Sequence, residues 1–393
     1  MLLNQLLDAS SLSVSPLLTD ISAQASQADQ SRSLAPDVIA GIKTNPIMGY
    51  SASLNLGGRA ASMERIGYEL AAVAGACSST GWVLWNHLAT FHLFAGLLGP
   101  EQMPLLKEIV KAGEWVCFPA GASTGVKGLP QGDSIQLQGK AAFGSGARYA
   151  EWAGVSFVIE DRRDPQFSLV DLRQSEVNIA ADWNAMSLRA SATDTVYYEG
   201  AMVRQSHVVP FRFRYREVFR DPDHAMIDPR YREDWVALSD LWLGMMAVGV
   251  VQANLDVVTE GIRERVAIGG VKIAERPTVH VNLGQAQASI RAACDTVVAA
   301  LRETDERIES GSLPDESDYL RQTGAAMAAL SFCDEAMSLL LRVMGGNGLR
   351  QGPAFERRYR DFQAMPLHIN AHRDRISEQI GRHLLGLPTE NPF

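Results

Sequence analysis

The sequence predicts an α+β, mostly α chain in the order helix, β, helix. Three observations carry this. Long stretches with apolar residues at helical spacing fill both ends. Between Glu114 and about Asp221 the texture changes to short β-prone runs punctuated by Gly and Pro. No internal repeat or low-complexity tract interrupts the pattern. The expected division is a helical N-terminal domain (1–113), a central β domain (114–222) and a helical C-terminal domain (223–393).

Size and composition bound the function classes. At about 150 residues per domain, 393 residues make two or three structural units. A hydrophobic share of 46% against 21% charged is a globular composition with ample core. A net charge of -9 argues against nucleic acid or an anionic membrane as the main partner. Cys77, Cys117, Cys294 and Cys333 are far apart and form no CxxC pair, which reads as free thiols in a reducing cytoplasm. The first residues, MLLNQLLDASS, lack a basic n-region and read as no signal peptide. The apolar run Leu241 to Val251 is about half a membrane span and reads as a buried helix.

In chain order, residues 1 to about 50 read as polar helices broken at Pro16, Pro36 and Pro46. Ile66, Leu70, Val73 and Cys77 form a helix face. In the next helix Val83, His87, Phe91, Phe94 and Leu98 share one face, and Trp82, Trp85, Ala89, His92 and Gly96 another. His87 and His92 are therefore about 140° apart and address different surroundings. Strands are expected at Ile135–Gln138, Val155–Ile159, Val196–Val203 and His207–Phe213. Helices follow from Asp234 to about Glu264, from Asn282 to about Glu309 and, after the Ser310–Pro314 linker, from Asp318 to Met344.

Several motifs invite chemistry. Gly121-Ala-Ser123-Thr-Gly125 matches the GxSxG pattern, but the loop and strand after it do not suit a nucleophile elbow. A backbone-donor loop for a polar ligand edge suits it better, and a plain turn is the simplest reading. No GxGxxG follows a strand, so reducing power for any redox chemistry comes on a carrier other than a nicotinamide bound here. His368-Ile-Asn-Ala-His372 puts two imidazoles at the spacing of a helix face, without the Glu of HExxH, and no metal is expected. Gly345-Gly-Asn-Gly348 reads as a helix C-cap.

Taken together these segments resemble the acyl-CoA dehydrogenase superfamily. GGNG followed by Glu356-Arg357 and Arg360-Asp361 resembles its GGxG…RD segment. Gly139-Lys140…Phe143-Gly-Ser145-Gly146 resembles its flavin-contacting β segment, and Trp183…Arg189-Ala-Ser191 its W…R turn. The resemblance implies a central β-barrel and a C-terminal four-helix bundle. It also departs from the dehydrogenases. The position eight after Asp361, one usual place for their catalytic Glu, is Ile369, and Leu241-Trp-Leu-Gly-Met-Met offers no carboxylate at the other.

Arg360-Asp361…His368 instead resembles the superfamily's two-component flavin-dependent monooxygenases. For them the resemblance implies reduced FAD (or FMN) from a separate NAD(P)H:flavin reductase, a flavin hydroperoxide, and hydroxylation of a small aromatic substrate such as an indole or phenol. It implies His368, His87 and Ser145 as catalytic. Flavin contacts would come from Ser145, Gly121, Ser123, Arg189, Arg265, Arg342, Gly345 and Gly346. Substrate contacts would come from His87, His92, Trp82 and Trp115; His87 is favoured over His92 by its register in Ser79…His87. The implied assembly is a cytoplasmic homotetramer. Two alternatives stand beside this: a flavin dehydrogenase or oxidase lacking the usual Glu, whose substrate alone would bleach bound flavin, and a helical binding module with no flavin affinity.

Overall fold

The computed structural model describes residues 11–120, 125–160, 162, 165–211 and 228–389. After two short helices, α1 (Leu18–Ser31) and α2 (Pro36–Lys43), come α3 (Met63–Ala76), α4 (Ser78–Leu97) and α5 (Met103–Ala112). Ser62 caps α3 by accepting the Arg65 N–H. Cys77 adopts an extended φ of -149° and separates α3 from α4. Nearly every side chain of α4 is buried, which explains its apolar residues all round.

The central region holds two four-stranded sheets. One contains β1 (Val116–Cys117), β4 (Trp152–Phe157), β5 (Gln166–Asp171) and β8 (Val209–Pro210) in the order β1-β4-β5-β8. The other contains β2 (Val126–Gln131), β3 (Ser134–Gly144), β6 (Val177–Ala180) and β7 (Asp194–Arg204) in the order β2-β3-β7-β6. Among the described residues the sheets are joined by a short parallel bridge, Lys127 to Val158, so the expected barrel does not close. Inward residues of both sheets, including Leu137, Val155, Phe157 and Tyr198, form one apolar core. Strands β1, β2, β5 and β6 were not among those expected: Gly128 and Pro130 break the pattern of β2, β1 and β6 are only two and four residues long, and β5, where Phe167 and Leu169 alternate with Gln166 and Ser168, was legible.

The C-terminal region is built on α6 (Trp235–Ile262), α7 (Pro277–Ser310) and α8 (Glu316–Met344), packed side by side. Asp234 caps α6 by accepting from the Val236 and Ala237 amides. Asp315 and Asp318 form a reciprocal capping box on α8. Gly311, at a left-handed φ of 68°, ends α7 in the expected linker. The shorter α9 (Ala354–Phe362) packs on α6, and α10 (Arg373–Leu384) on α8. At 28 residues α6 is much longer than the apolar run inside it and is apolar enough to cross a membrane, yet 94% of its apolar window is buried against its neighbours. The segment Glu316–Leu349 passes the same test of length and composition. All four cysteines are free and buried.

Candidate active site

Helix α4 supplies one wall of a cavity of about 760 Å³ between the sheets and the C-terminal helices. Its residues Trp82, Trp85, Asn86, Ala89 and Thr90 recur at helical spacing and all line it. Ser239 on α6 stands beside them. The segment after α9 brings in His368.

The His368 ring sits edge-on to two indoles, 5.0 Å from Trp85 and 5.7 Å from Trp82 between centroids. Its Nδ1 accepts a long hydrogen bond, 3.4 Å, from the Asn370 amide. Burial against these rings, with the Arg375 guanidinium nearby, lowers its pKa to about 4, so the ring is neutral at pH 7. The expected helix face with His372 does not exist: His368 ends a 3-10 turn, and His372 caps α10.

Ser145 lies on the β side of the cavity. Trp82 Nε1–H donates to its Oγ at 3.0 Å, and Oγ bonds Thr193 Oγ1 at 3.1 Å. Thr193 in turn bonds Ser191 Oγ at 2.7 Å. The chain reaches Ser145 through Phe143, whose φ is +60°, and leaves through Gly146, at φ +79°. A Cβ on Gly146 would stand 2.8 Å from Val83, so only glycine lets this turn touch α4.

The turn from Trp183 to Thr193 forms another wall. Leu188 and Ala192 both have positive φ, 49° and 46°. With Phe143 they are three of the five such non-glycine residues among those described, so backbone strain gathers around this cavity. Buried Asp361 restrains the turn by accepting the Leu188 N–H at 2.6 Å. Burial pushes the Asp361 carboxyl up to about 7 despite that bond. Arg32 holds the Trp183 and Ala185 carbonyls, and Arg360 the Met186 carbonyl.

Other expected residues lie elsewhere. His87 does not line the cavity: its Nδ1 accepts from the Val116 N–H at 3.1 Å and its Nε2 meets the Met48 carbonyl at 3.1 Å. Both nitrogens tie α4 to β1 and to the chain before α3, and burial lowers its pKa to about 4. His92 meets the Glu233 carbonyl at 3.3 Å, and burial takes its pKa to about 3. Trp115 packs on His87, 5.5 Å between ring centroids, behind the wall. Arg189 faces Asp29 at 3.7 Å. Arg265 donates to the Met344 carbonyl, so it clusters with the end of α8 rather than with the cavity. Arg342, Gly345 and Gly346 are exposed there. Gly121 and Ser123 lie outside the described residues.

Sequence reading missed Asn86, Thr90, Thr193 and Ser239. The first two were legible as the i+4 and i+8 neighbours of Trp82. Helix α6 also carries a carboxylate just before the apolar run. It is Asp240, fully buried behind Ser239, away from the wall, and burial drives its pKa well above the ordinary carboxylate value.

The walls suit a planar, largely apolar group such as a flavin ring beside an aromatic substrate, with hydroxyls at one edge. Residues 241–373 match the model of the acyl-CoA dehydrogenase C-terminal domain. The chain is 26% identical over 367 residues to the oxygenase component of an FADH2-dependent resorcinol hydroxylase from a Rhizobium strain, covering 86% of this chain and 83% of that one. XiaF from Streptomyces, solved with FADH2 and glycerol, superposes with a TM-score of 0.85 at 20% identity over 96% of this chain and 95% of its own. The FMN-bound dibenzothiophene monooxygenase TdsC from Paenibacillus gives 0.83 at 18% identity over 96% and 97%. The fold is acyl-CoA dehydrogenase-like, and the match to that family's C-terminal domain covers about the last third of the chain. Along most of its length the chain is similar to oxygenase components of flavin-dependent monooxygenases.

Proposed function

We propose that this chain is the oxygenase component of a two-component flavin-dependent monooxygenase that hydroxylates a small aromatic substrate. One observation carries the reading. The described cavity wall holds His368 edge-on to two adjacent indoles and no Asp or Glu, so a dehydrogenase's carboxylate base has no candidate there. The relatives' descriptions agree with it.

Reduced flavin, FAD or alternatively FMN, supplies the chemistry that activates dioxygen, and a separate NAD(P)H:flavin reductase supplies the flavin. Ser145 and Thr193 present hydroxyls to the flavin ring edge. Trp82 spends its N–H on Ser145 Oγ, which leaves the Ser145 proton to donate onward. The indoles and the Leu188 turn keep water from the reacting centre. His368 handles the substrate proton. Its neutral ring can accept one, and negative charge developing beside it raises its pKa from about 4 toward the working range. Arg265, Arg342, Gly345 and Gly346 would complete a neighbouring chain's flavin site in a cytoplasmic homotetramer. Ser123, Gly121 and Arg189 remain flavin contacts in this reading.

The test is rapid mixing of protein carrying reduced FAD with dioxygen, without substrate. A near-ultraviolet absorbing species that outlives the reoxidation of free flavin is expected. Reoxidation at the free-flavin rate with both FAD and FMN would overturn the proposal.

A further inference from the structure

The polar handle that α4 offers the cavity is not a histidine. His87 and His92 are turned to backbone carbonyls, and Asn86 and Thr90 stand on the wall in their place. Thr90 Oγ1 donates to Asn86 Oδ1 at 3.4 Å. That contact orients the carboxamide and leaves both Nδ2 hydrogens free of it. On the neighbouring helix Ser239 is 1% exposed, lines the same cavity, and its Oγ has no hydrogen-bond partner among the described residues. A buried hydroxyl left without a partner is unfavourable, and a ligand atom would satisfy it. The rest of the described wall is mostly aromatic and aliphatic, with Gln363 and Asn370 beside His368, and it carries no Lys, Arg, Asp or Glu.

Resting on the oxygenase reading, we propose that Asn86, supported by Thr90 and Ser239, is the specificity-determining group of this enzyme. It selects an uncharged aromatic substrate that carries a hydrogen-bond-accepting oxygen. Asn86 Nδ2–H donates to that oxygen, and Ser239 Oγ completes its shell. An ionised carboxylate on the ring is rejected, because the described wall gives it no counter-charge and desolvating it costs several kcal/mol. Deprotonation then falls to His368 alone.

The probes are 2-acetylnaphthalene, naphthalene and 2-naphthoate, titrated by calorimetry into the protein without oxygen, once with saturating reduced FAD and once without flavin. The ketone should bind at least tenfold tighter than naphthalene, and the naphthoate at least tenfold weaker than the ketone. Asn86→Leu should abolish the preference for the ketone while leaving naphthalene affinity within about twofold. Asn86→Asp, which keeps the shape but replaces the donor, should abolish it as well and serves if the leucine variant misfolds. Ser239→Ala should reduce it in part. An unchanged ketone preference in both Asn86 variants, or naphthoate binding as tightly as the ketone, would overturn the inference. Retention of reduced FAD is measured on the same wild-type sample. Its absence counts against the oxygenase reading, while the probe ratios in flavin-free protein still decide the role of Asn86.

Discussion

At the scale of single residues, the buried His87 and the half-buried His368 have similar pKa values and opposite roles. His87 spends both nitrogens on backbone, whereas His368 makes one long bond and borders the cavity. His87→Ala should therefore cost about 2–4 kcal/mol in denaturant titration, since it leaves a buried amide and carbonyl unpaired. His368→Ala should cost less than about 1.5 kcal/mol yet lower product formed per flavin oxidised at least tenfold. The pH response of His87 has a definite sign. Burial lowers its folded pKa to about 4 from an ordinary 6.5, so the unfolded chain takes the proton first. Its stabilising contribution is whole above pH 6.5 and drains away as pH falls toward 4. The stability gap between wild type and His87→Gln should shrink across that window by about 3 kcal/mol, because glutamine does not titrate. A gap that stays constant from pH 7 to 4 would mean that His87 is not held neutral by burial.

Among elements, the turn from Trp183 to Thr193 concentrates backbone strain beside the cavity. Left-handed backbone at Leu188 and Ala192 costs roughly 1–2 kcal/mol for each non-glycine residue. Asp361, Arg360 and Arg32 supply the hydrogen bonds that hold it. Arg360 and Asp361 thus both bear on the cavity through this turn, not by lining it. Asp361→Ala should weaken reduced-flavin binding at least fivefold and lower stability by about 1–3 kcal/mol. Asp361→Asn keeps an acceptor for the Leu188 N–H and should restore most of both. Equal losses in the two variants would assign Asp361 to charge rather than to the turn. Sequence could mark this segment through Trp183 and Arg189, but not its tie to Asp361, which spans 173 residues. The same limit explains His87. Spacing placed it on a helix face, while only the packing of β1 and the Met48 carbonyl showed which way that face looks.

Across the whole molecule, legibility followed the range of the interactions. Helices α6 to α8 were readable to within a few residues of their ends, because apolar periodicity and caps at Asp234 and Gly311 are local. The β region was readable as β but not as two sheets, since strand order depends on pairings far apart in sequence. Assembly lies beyond both, and the cluster at the end of α8 gives it a direct test. A Cβ on Gly346 meets nothing within 4 Å in the single chain, and its φ is not left-handed. Gly346→Ala should accordingly leave folding stability within about 0.5 kcal/mol of wild type. If the backbone here approaches the flavin of a neighbouring chain, the methyl group should weaken flavin binding at least fivefold, and Arg342→Ala should do the same by removing a phosphate partner. Sedimentation velocity should then show a tetramer in wild type and in both variants, with flavin affinity alone altered. A monomer that binds reduced flavin at full affinity, or a Gly346→Ala tetramer that binds it unchanged, would take this cluster out of the flavin site and leave the cavity wall to hold the cofactor by itself.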